Sequence, residues 1–158
     1  MTIDDFHIKL VGLIQFLEKE TTKGLIKEQN KDTFTDMNKG QLWDGKTNKG
    51  FEIKPFHSQS KYFKTKEKAE KYIKWKESFS ASIRRRPDVP NLFINGKFYS
   101  EIKTNITNQS INFDAKGKMS PRILPVFDDI LGLTAENAGI ITTNLVEVFK
   151  KPLNDYFT

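Results

Sequence analysis

The chain has 158 residues, with 26 Lys and Arg against 20 Asp and Glu and a formal net charge of +6. This length fits one domain with a sizeable core, and 37% hydrophobic with 29% charged residues is typical of a globular protein rather than a disordered one. The absence of cysteine excludes disulfides, thiolate catalysis and cysteine-based zinc sites.

The first residues do not read as a targeting signal. Asp4 and Asp5 stand where a secretory signal would carry basic residues, and the longest uncharged stretch there, residues 10–17, is too short to span a bilayer. We therefore expect synthesis in a cytoplasm and no membrane contact.

The N-terminal part of the chain is predicted to be helical. Apolar residues recur at helical spacing from residue 3 to about residue 30, and a second helical stretch is expected to end near Asn38. Residues 41–53 then predict a strand, a turn and a second strand, because Gly45 and Gly50 stand in segments typical of tight turns.

The central region predicts one helix followed by strands. Thr65 is a suitable N-cap for a helix over residues 66–79 that ends before Pro87. Residues 92–94 predict a short strand closed by a turn at Gly96. The alternating apolar residues of 101–114 predict an antiparallel hairpin.

The C-terminal region predicts a short helix or turn over residues 121–130 and a terminal helix capped by Thr134 and ended by Pro152. The whole chain, residues 1–158, is therefore expected to be a single α+β domain. It would have a long N-terminal helix, antiparallel strands or hairpins in the middle, and a C-terminal helix packed on the sheet.

Positive charge is concentrated in residues 61–86, which carry a local balance of +7. Clustered basic residues bind polyanions by releasing counterions, so this segment is a candidate contact for nucleic acid or an acidic partner. Tyr72 and Trp75 are interleaved with the lysines, as a surface for stacked bases requires. The alternative is an ordinary amphipathic helix whose aromatic side chains face the core.

One pattern resembles an enzyme motif. Pro87-Asp88 followed by Glu101-Ile102-Lys103 resembles the PD-(D/E)xK signature of metal-dependent nucleases. In that interpretation Asp88 and Glu101 would hold Mg²⁺, and Lys103 would stabilise charge at phosphorus. The pattern is short and degenerate, so the nuclease is the alternative hypothesis, beside a small basic nucleic-acid-binding module.

Three segments, taken in order, resemble a known family. They are LWDGK at residues 42–46, LFINGKFYSEI at 92–102 and ILGLTAEN at 130–137. With the long N-terminal helix, the basic helix and the hairpin, they resemble the tail-completion or head–tail joining proteins of tailed bacteriophages, also called phage virion morphogenesis proteins. The resemblance extends from about residue 16 to residue 149.

The resemblance implies a non-enzymatic structural protein of the virion, without cofactor or metal. Its members join the portal vertex of the capsid to the tail as a neck ring around the DNA channel. We therefore expect a homo-oligomeric ring, contacts with portal or adjacent neck and tail proteins, and a place in the virion neck after synthesis in the host bacterial cytoplasm.

Two sets of candidate site residues follow. Aromatic residues beside turns are candidate subunit-interface anchors, because aromatic side chains commonly supply binding energy; the alternative is that each packs in the chain's own core. These candidates are Trp43, Gly45, Phe98 and Tyr99. The candidates for weak, salt-sensitive contact with DNA in the channel, or for contact with an acidic partner, are Lys61, Lys64, Lys68, Lys71, Arg84, Arg85 and Arg86.

Overall fold

The computed structural model describes residues 3–26, 28–54, 63–79, 90–93, 95–107, 110–127 and 129–157. Its elements, in chain order, are α1 (Ile3–Ile26), α2 (Glu28–Trp43), α3 (Lys66–Phe79), α4 (Lys97–Glu101), β1 (Ile102–Ile106), β2 (Ile111–Ala115), α5 (Ser120–Ile123) and α6 (Ala135–Phe157). The chain forms one small α+β domain, which confirms the predicted class.

The predicted hairpin is present as β1 and β2. The strands are antiparallel, with Ile102 opposite Ala115 and Ile106 opposite Ile111. Ile102, Ile106 and Ala115 are buried, whereas Lys103 and Asn105 between them are exposed. Alternation at period 2 therefore gave both the strands and the face that they bury.

Two helix N-termini also agree with the sequence. The Thr65 hydroxyl accepts a hydrogen bond from the Lys68 backbone N–H at 3.4 Å, at the start of α3. The Thr134 hydroxyl accepts one from the Asn137 backbone N–H at 3.2 Å, at the start of α6. Each threonine satisfies a backbone donor that the first helical turn leaves without an intrahelical partner.

The strand prediction for the first part of 41–53 is wrong, because α2 continues to Trp43. Asn38 and Gln41 lie on the same buried face as Leu42, so two buried amides interrupt the apolar periodicity that would mark this helix. Gly45, with φ of 68°, ends the helix in the left-handed conformation that glycine adopts without a steric penalty. The predicted strand pair is reduced to one bridge, between Lys46 and Glu52.

The short strand predicted at 92–94 is likewise absent from the described residues of that segment. Leu92 has φ of 56°, a left-handed conformation that no strand contains. Gly96, with φ of 76°, makes the predicted turn, and the chain then enters α4.

Among the described residues, the helix with the main contact to the hairpin is α2, whereas the sequence predicted the C-terminal helix in that place. Helix α2 lies against β1, where the hydroxyls of Thr35 and Thr104 are 2.8 Å apart. Helix α6 contacts α1. It also continues through Pro152 to Phe157, although the sequence predicted its end at this proline, which has no N–H to donate to the helix.

The core lies where α2, the hairpin, α4 and the segment 119–131 meet. Its central member from α2 is Leu42, and Ile130 faces it from the last loop before α6. The other buried members are Ile53, Phe98, Tyr99, Ile102, Ala115, Ile123 and Phe127.

Candidate functional site

The segments 42–46, 92–102 and 130–137, on which the predicted resemblance rests, meet in this core. Leu42 of the first segment and Ile130 of the third belong to the same buried cluster as Phe98 of the second. Trp43 contacts Phe93 edge-on, with ring centroids 5.0 Å apart. The segments that carry the resemblance are therefore the segments that build the core of the domain.

The four candidate interface anchors differ in how deeply they are buried. Phe98 and Tyr99 are buried in the core, and the Tyr99 hydroxyl donates to the Asn91 carbonyl at 2.6 Å. Gly45 is buried at the end of α2, and Trp43 is half-buried. Phe98 and Tyr99 therefore follow the alternative prediction, in which the residue packs in the chain's own core.

Of the candidate basic contacts, the structure describes two on α3 and one just before it. Lys64, Lys68 and Lys71 are all exposed, whereas Lys61 and the three arginines 84–86 lie outside the described residues. Lys68 and Lys71 share a helix face with Trp75, which is also exposed. We call Lys68, Lys71 and Trp75, together with Lys64 just before the helix, the basic face of α3.

An aromatic row accompanies the basic face. Phe63 and Tyr72 have ring centroids 5.3 Å apart, and Tyr72 and Trp75 have theirs 5.5 Å apart. Lysine charge beside exposed aromatic surface is the combination found on surfaces that contact nucleic acid. Phe63 and Tyr72 are half-buried, as in an ordinary amphipathic helix, whereas Trp75 is exposed, as in a stacking surface.

Two residues of the nuclease motif, Glu101 and Lys103, lie in the described part of the chain. Glu101 ends α4, and its carboxylate accepts hydrogen bonds from the backbone N–H groups of Met119 at 2.9 Å and Ser120 at 2.8 Å, and from the Ser120 hydroxyl. The Ser120 hydroxyl is the largest influence that lowers the pKa of Glu101 below its ordinary value. Lys103 is exposed on β1, and Asp88 lies outside the described residues.

Within the described part of the chain, no group of three or more histidine or carboxylate side chains is placed to hold a metal ion. The Glu101 carboxylate instead joins the end of α4 to the start of α5, so its hydrogen bonds hold two elements of the core together.

A cavity of about 190 Å³ lies between α3, the segment 92–98 and the segment 119–127. Its apolar wall contains the rings of Phe93, Phe98 and Phe127. Its lining residues with polar groups are Tyr72, Lys76, Asn95 and Lys97.

Lys76 is the unusual member of this lining, since the residue is only 8% exposed. Its ammonium group donates to the Asn91 side-chain oxygen at 2.7 Å, and Asn91 also accepts a bond from the Phe93 backbone N–H. Burial lowers the pKa of Lys76 to about 8, because desolvation disfavours the charged form. Lysines are rarely this buried, and a perturbed lysine in a cavity marks a candidate binding site.

Lys76 is not among the residues that the sequence predicts for a site. Its spacing in the sequence indicates burial. Ala69, Ile73 and Lys76 stand at i, i+4 and i+7, so they share the buried face of α3. A lysine on an apolar face is ordinarily expected to extend its amine to solvent, which is why the pattern alone does not identify a buried one.

No helix in the described ranges is long and apolar enough to cross a membrane. No protein-family model, curated protein or solved structure matches the chain at a significant level.

Proposed function

We propose that this chain is a non-enzymatic structural protein of a tailed bacteriophage, which assembles into a ring at the head–tail junction and joins the portal vertex to the tail. The ordered resemblance over residues 16–149 supports the family. The structural role of its three segments, which together build the core, supports a likeness of fold rather than of scattered short matches.

The observation that carries the proposal is an uncovered apolar stripe on α1. Four apolar residues at i, i+3, i+7 and i+11 share one face of this helix, and all are substantially exposed. They are Ile3 at 87%, Phe6 at 54%, Leu10 at 43% and Ile14 at 48%. A contiguous apolar surface of this kind is typical of a protein–protein interface.

We assign the stripe to contact with another copy of the chain. Helix α6, which contacts α1, adds exposed Ile140 and Val146. The two terminal helices therefore offer apolar surface on neighbouring elements. A second copy can cover the apolar residues of one terminal helix, while its own apolar residues contact a third copy. Such repeated contacts close into a ring when the rotation between copies allows it.

The basic face of α3 provides the second contact of such a ring. Residues 61–86 hold the chain's excess of positive charge, and Lys64, Lys68 and Lys71 are exposed there. A ring that surrounds DNA needs weak, salt-screened attraction so that the DNA can still slide, and exposed lysines supply it. An acidic surface of an adjacent neck protein would meet the same charge.

We expect Ile14→Ser to weaken self-association by about tenfold or more, because burying one isoleucine side chain contributes roughly 1.5–3 kcal/mol. Ile8→Ser is the matched control, since Ile8 is 69% exposed on another face of the same helix. Sedimentation velocity over a range of protein concentrations measures both variants. Equal self-association of the two variants, or a monomeric wild type at high concentration, would contradict the assignment of the stripe.

A second control separates assembly from DNA contact. Replacing Lys64, Lys68 and Lys71 together by glutamine removes charge from the basic face and leaves α1 unchanged. The triple variant is expected to assemble like the wild type and to retain less DNA at low salt. Loss of assembly in this variant would show that α3, and not α1, holds the copies together.

Antibody-gold labelling of purified phage particles tests the proposed function as a whole. Label at the vertex where head meets tail is the expected result. Label absent from particles, with the protein remaining in the soluble lysate, would overturn the proposal.

A further inference from the structure

The cavity beside α3 is lined mainly by apolar side chains, and no part of the proposed neck assembly uses it. Three phenylalanine rings line it, those of Phe93, Phe98 and Phe127, together with Met119 and Ile123. An engineered apolar cavity of about 150 Å³ holds benzene. A cavity of about 190 Å³ therefore has room for one aromatic ring with a short alkyl substituent.

The aromatic wall of the cavity is held in place by contacts within the chain. The Phe93 ring lies edge-on to the rings of Tyr99 and Trp43, with centroids 5.3 Å and 5.0 Å apart. The Tyr99 hydroxyl donates to the Asn91 carbonyl at 2.6 Å, which fixes the segment that carries Phe93. A wall fixed in this way loses little conformational freedom when a ligand binds, so little affinity is lost to ordering it.

The backbone of the same wall is strained at one position. Leu92 lines the cavity and has φ of 56°, a left-handed conformation that is disfavoured for a residue with a branched side chain. The Phe93 backbone N–H donates to the Asn91 side-chain oxygen at 3.2 Å, and this bond closes the turn around Leu92. Strain that the surroundings maintain is concentrated at binding sites and other functional sites, which accords with a ligand here.

The positive groups of the lining do not require a charged ligand. The Lys76 ammonium group donates to the Asn91 side-chain oxygen at 2.7 Å, so it already has a partner in the protein. Lys97 is exposed, and an ion pair with an exposed lysine contributes little. A bound molecule would therefore gain its affinity from the apolar rings and not from a charge.

We propose that this cavity binds a small uncharged aromatic molecule, consisting of one ring with a short alkyl substituent, among Phe93, Phe98 and Phe127. Burial of the ligand's apolar surface supplies most of the affinity. Aromatic walls favour an aromatic ligand, because edge-to-face and offset-stacked ring pairs add to the energy of burial. The proposal does not depend on the assembly of copies into a neck ring.

Calorimetric titration of the full chain with toluene and with benzoate tests the proposal at neutral pH. The two probes share one ring and differ little in size, but only benzoate is charged. Toluene is expected to bind at least tenfold more tightly, because the carboxylate of benzoate would lose its hydration and would have to compete with Asn91 for Lys76.

Two variants locate the binding site. Ile123→Phe places a larger side chain in the cavity lining and is expected to weaken toluene binding at least tenfold. Ile140→Phe is the matched control, because Ile140 is exposed on α6, and it is expected to leave toluene binding unchanged.

A measurement on the wild type keeps the test independent of the folding of Ile123→Phe. Nuclear Overhauser effects are expected between the toluene ring and the methyl groups of Met119 and Ile123, which line the cavity. Four results would each overturn the proposal: no saturable binding of toluene, benzoate binding as tight as that of toluene, undiminished toluene binding by Ile123→Phe, or ring contacts at methyl groups elsewhere in the chain.

Discussion

Asn38→Leu lowers the free energy of unfolding by about 2–4 kcal/mol, since it deprives buried carbonyl groups of their donor. The Asn38 side chain is fully buried in α2. Its amide donates to the Ile130 carbonyl at 3.1 Å and to the Gly132 carbonyl at 2.7 Å. Both acceptors precede α6, so the amide ties α2 to the segment that starts the last helix. Chemical denaturation measures the loss.

Gln41 belongs to the same hydrogen-bond network and determines which carbonyl keeps a donor when Asn38 is replaced. Its amide nitrogen donates to the Gly132 carbonyl at 2.6 Å, and its oxygen accepts from the Thr134 backbone N–H at 3.1 Å. The Gly132 carbonyl therefore keeps one donor in Asn38→Leu, whereas the Ile130 carbonyl loses its bond from Asn38. The loss at Ile130 is the larger part of the expected effect.

Asn38→Asp distinguishes the hydrogen bonds from packing, because it keeps the shape and replaces the donor by an acceptor. A carboxylate facing two carbonyl groups is disfavoured, so the introduced carboxyl has a raised pKa in the folded state. Its destabilisation is small below the ordinary pKa of aspartic acid and grows as the pH rises through the folded-state pKa. Asn144→Leu, an exposed position on α6, is the matched surface control and is expected to change stability by less than about 0.5 kcal/mol. Equal losses for Asn38→Leu and Asn144→Leu would contradict the structural role of Asn38.

The elements that sequence patterns predicted are those governed by local chemistry. The hairpin follows from alternation around Ile102 and Ile106, and the starts of α3 and α6 follow from the capping hydroxyls of Thr65 and Thr134. Each depends on residues close together in the chain, where spacing and capping rules apply directly. The continuation of α2 to Trp43 depends on Gln41, whose hydrogen-bond partners are about 90 residues away in the chain. No local sequence pattern predicts such a contact.

The same division applies to the candidate site. Exposure of Lys68 and Lys71 follows from helical spacing. Burial of Lys76 depends on Asn91, which reaches it across a connection between two elements, and the cavity exists because segments distant in sequence meet beside α3. Phe98 and Tyr99 next to a turn indicate either a surface anchor or a core residue, and only the packing of α4 on the hairpin decides between them.

Glu101→Gln is expected to lower the melting temperature by several degrees at neutral pH, because the amide presents donors where the carboxylate accepts them. The wild-type carboxylate accepts hydrogen bonds from the backbone N–H groups of Met119 and Ser120 at the start of α5. Hydrogen bonding to the charged form lowers the pKa of Glu101, so its stabilisation is present above the unfolded-state pKa and is lost as the pH falls through the folded-state value. The difference in melting temperature between wild type and Glu101→Gln should therefore close in acid.

Gly117→Ala tests the same contact from the opposite side. A Cβ atom at Gly117 would overlap the Glu101 side chain, and φ at Gly117 is not in the left-handed region, so the expected loss of about 1–3 kcal/mol comes from crowding alone. Gly40→Ala is the matched control, because nothing lies within 4 Å of its added Cβ, and alanine is expected to stabilise α2 by about 0.5–1 kcal/mol.

The double variant Glu101→Ala/Gly117→Ala joins the two changes in a thermodynamic cycle. Once Glu101 is truncated, the alanine at position 117 has space, so its destabilising effect is expected to disappear in that background. Thermal denaturation of the four proteins of the cycle at neutral pH measures this coupling. Strictly additive changes in melting temperature would mean that Gly117 is required for a reason other than the approach of Glu101, and the contact would then not be what fixes the loop before α5.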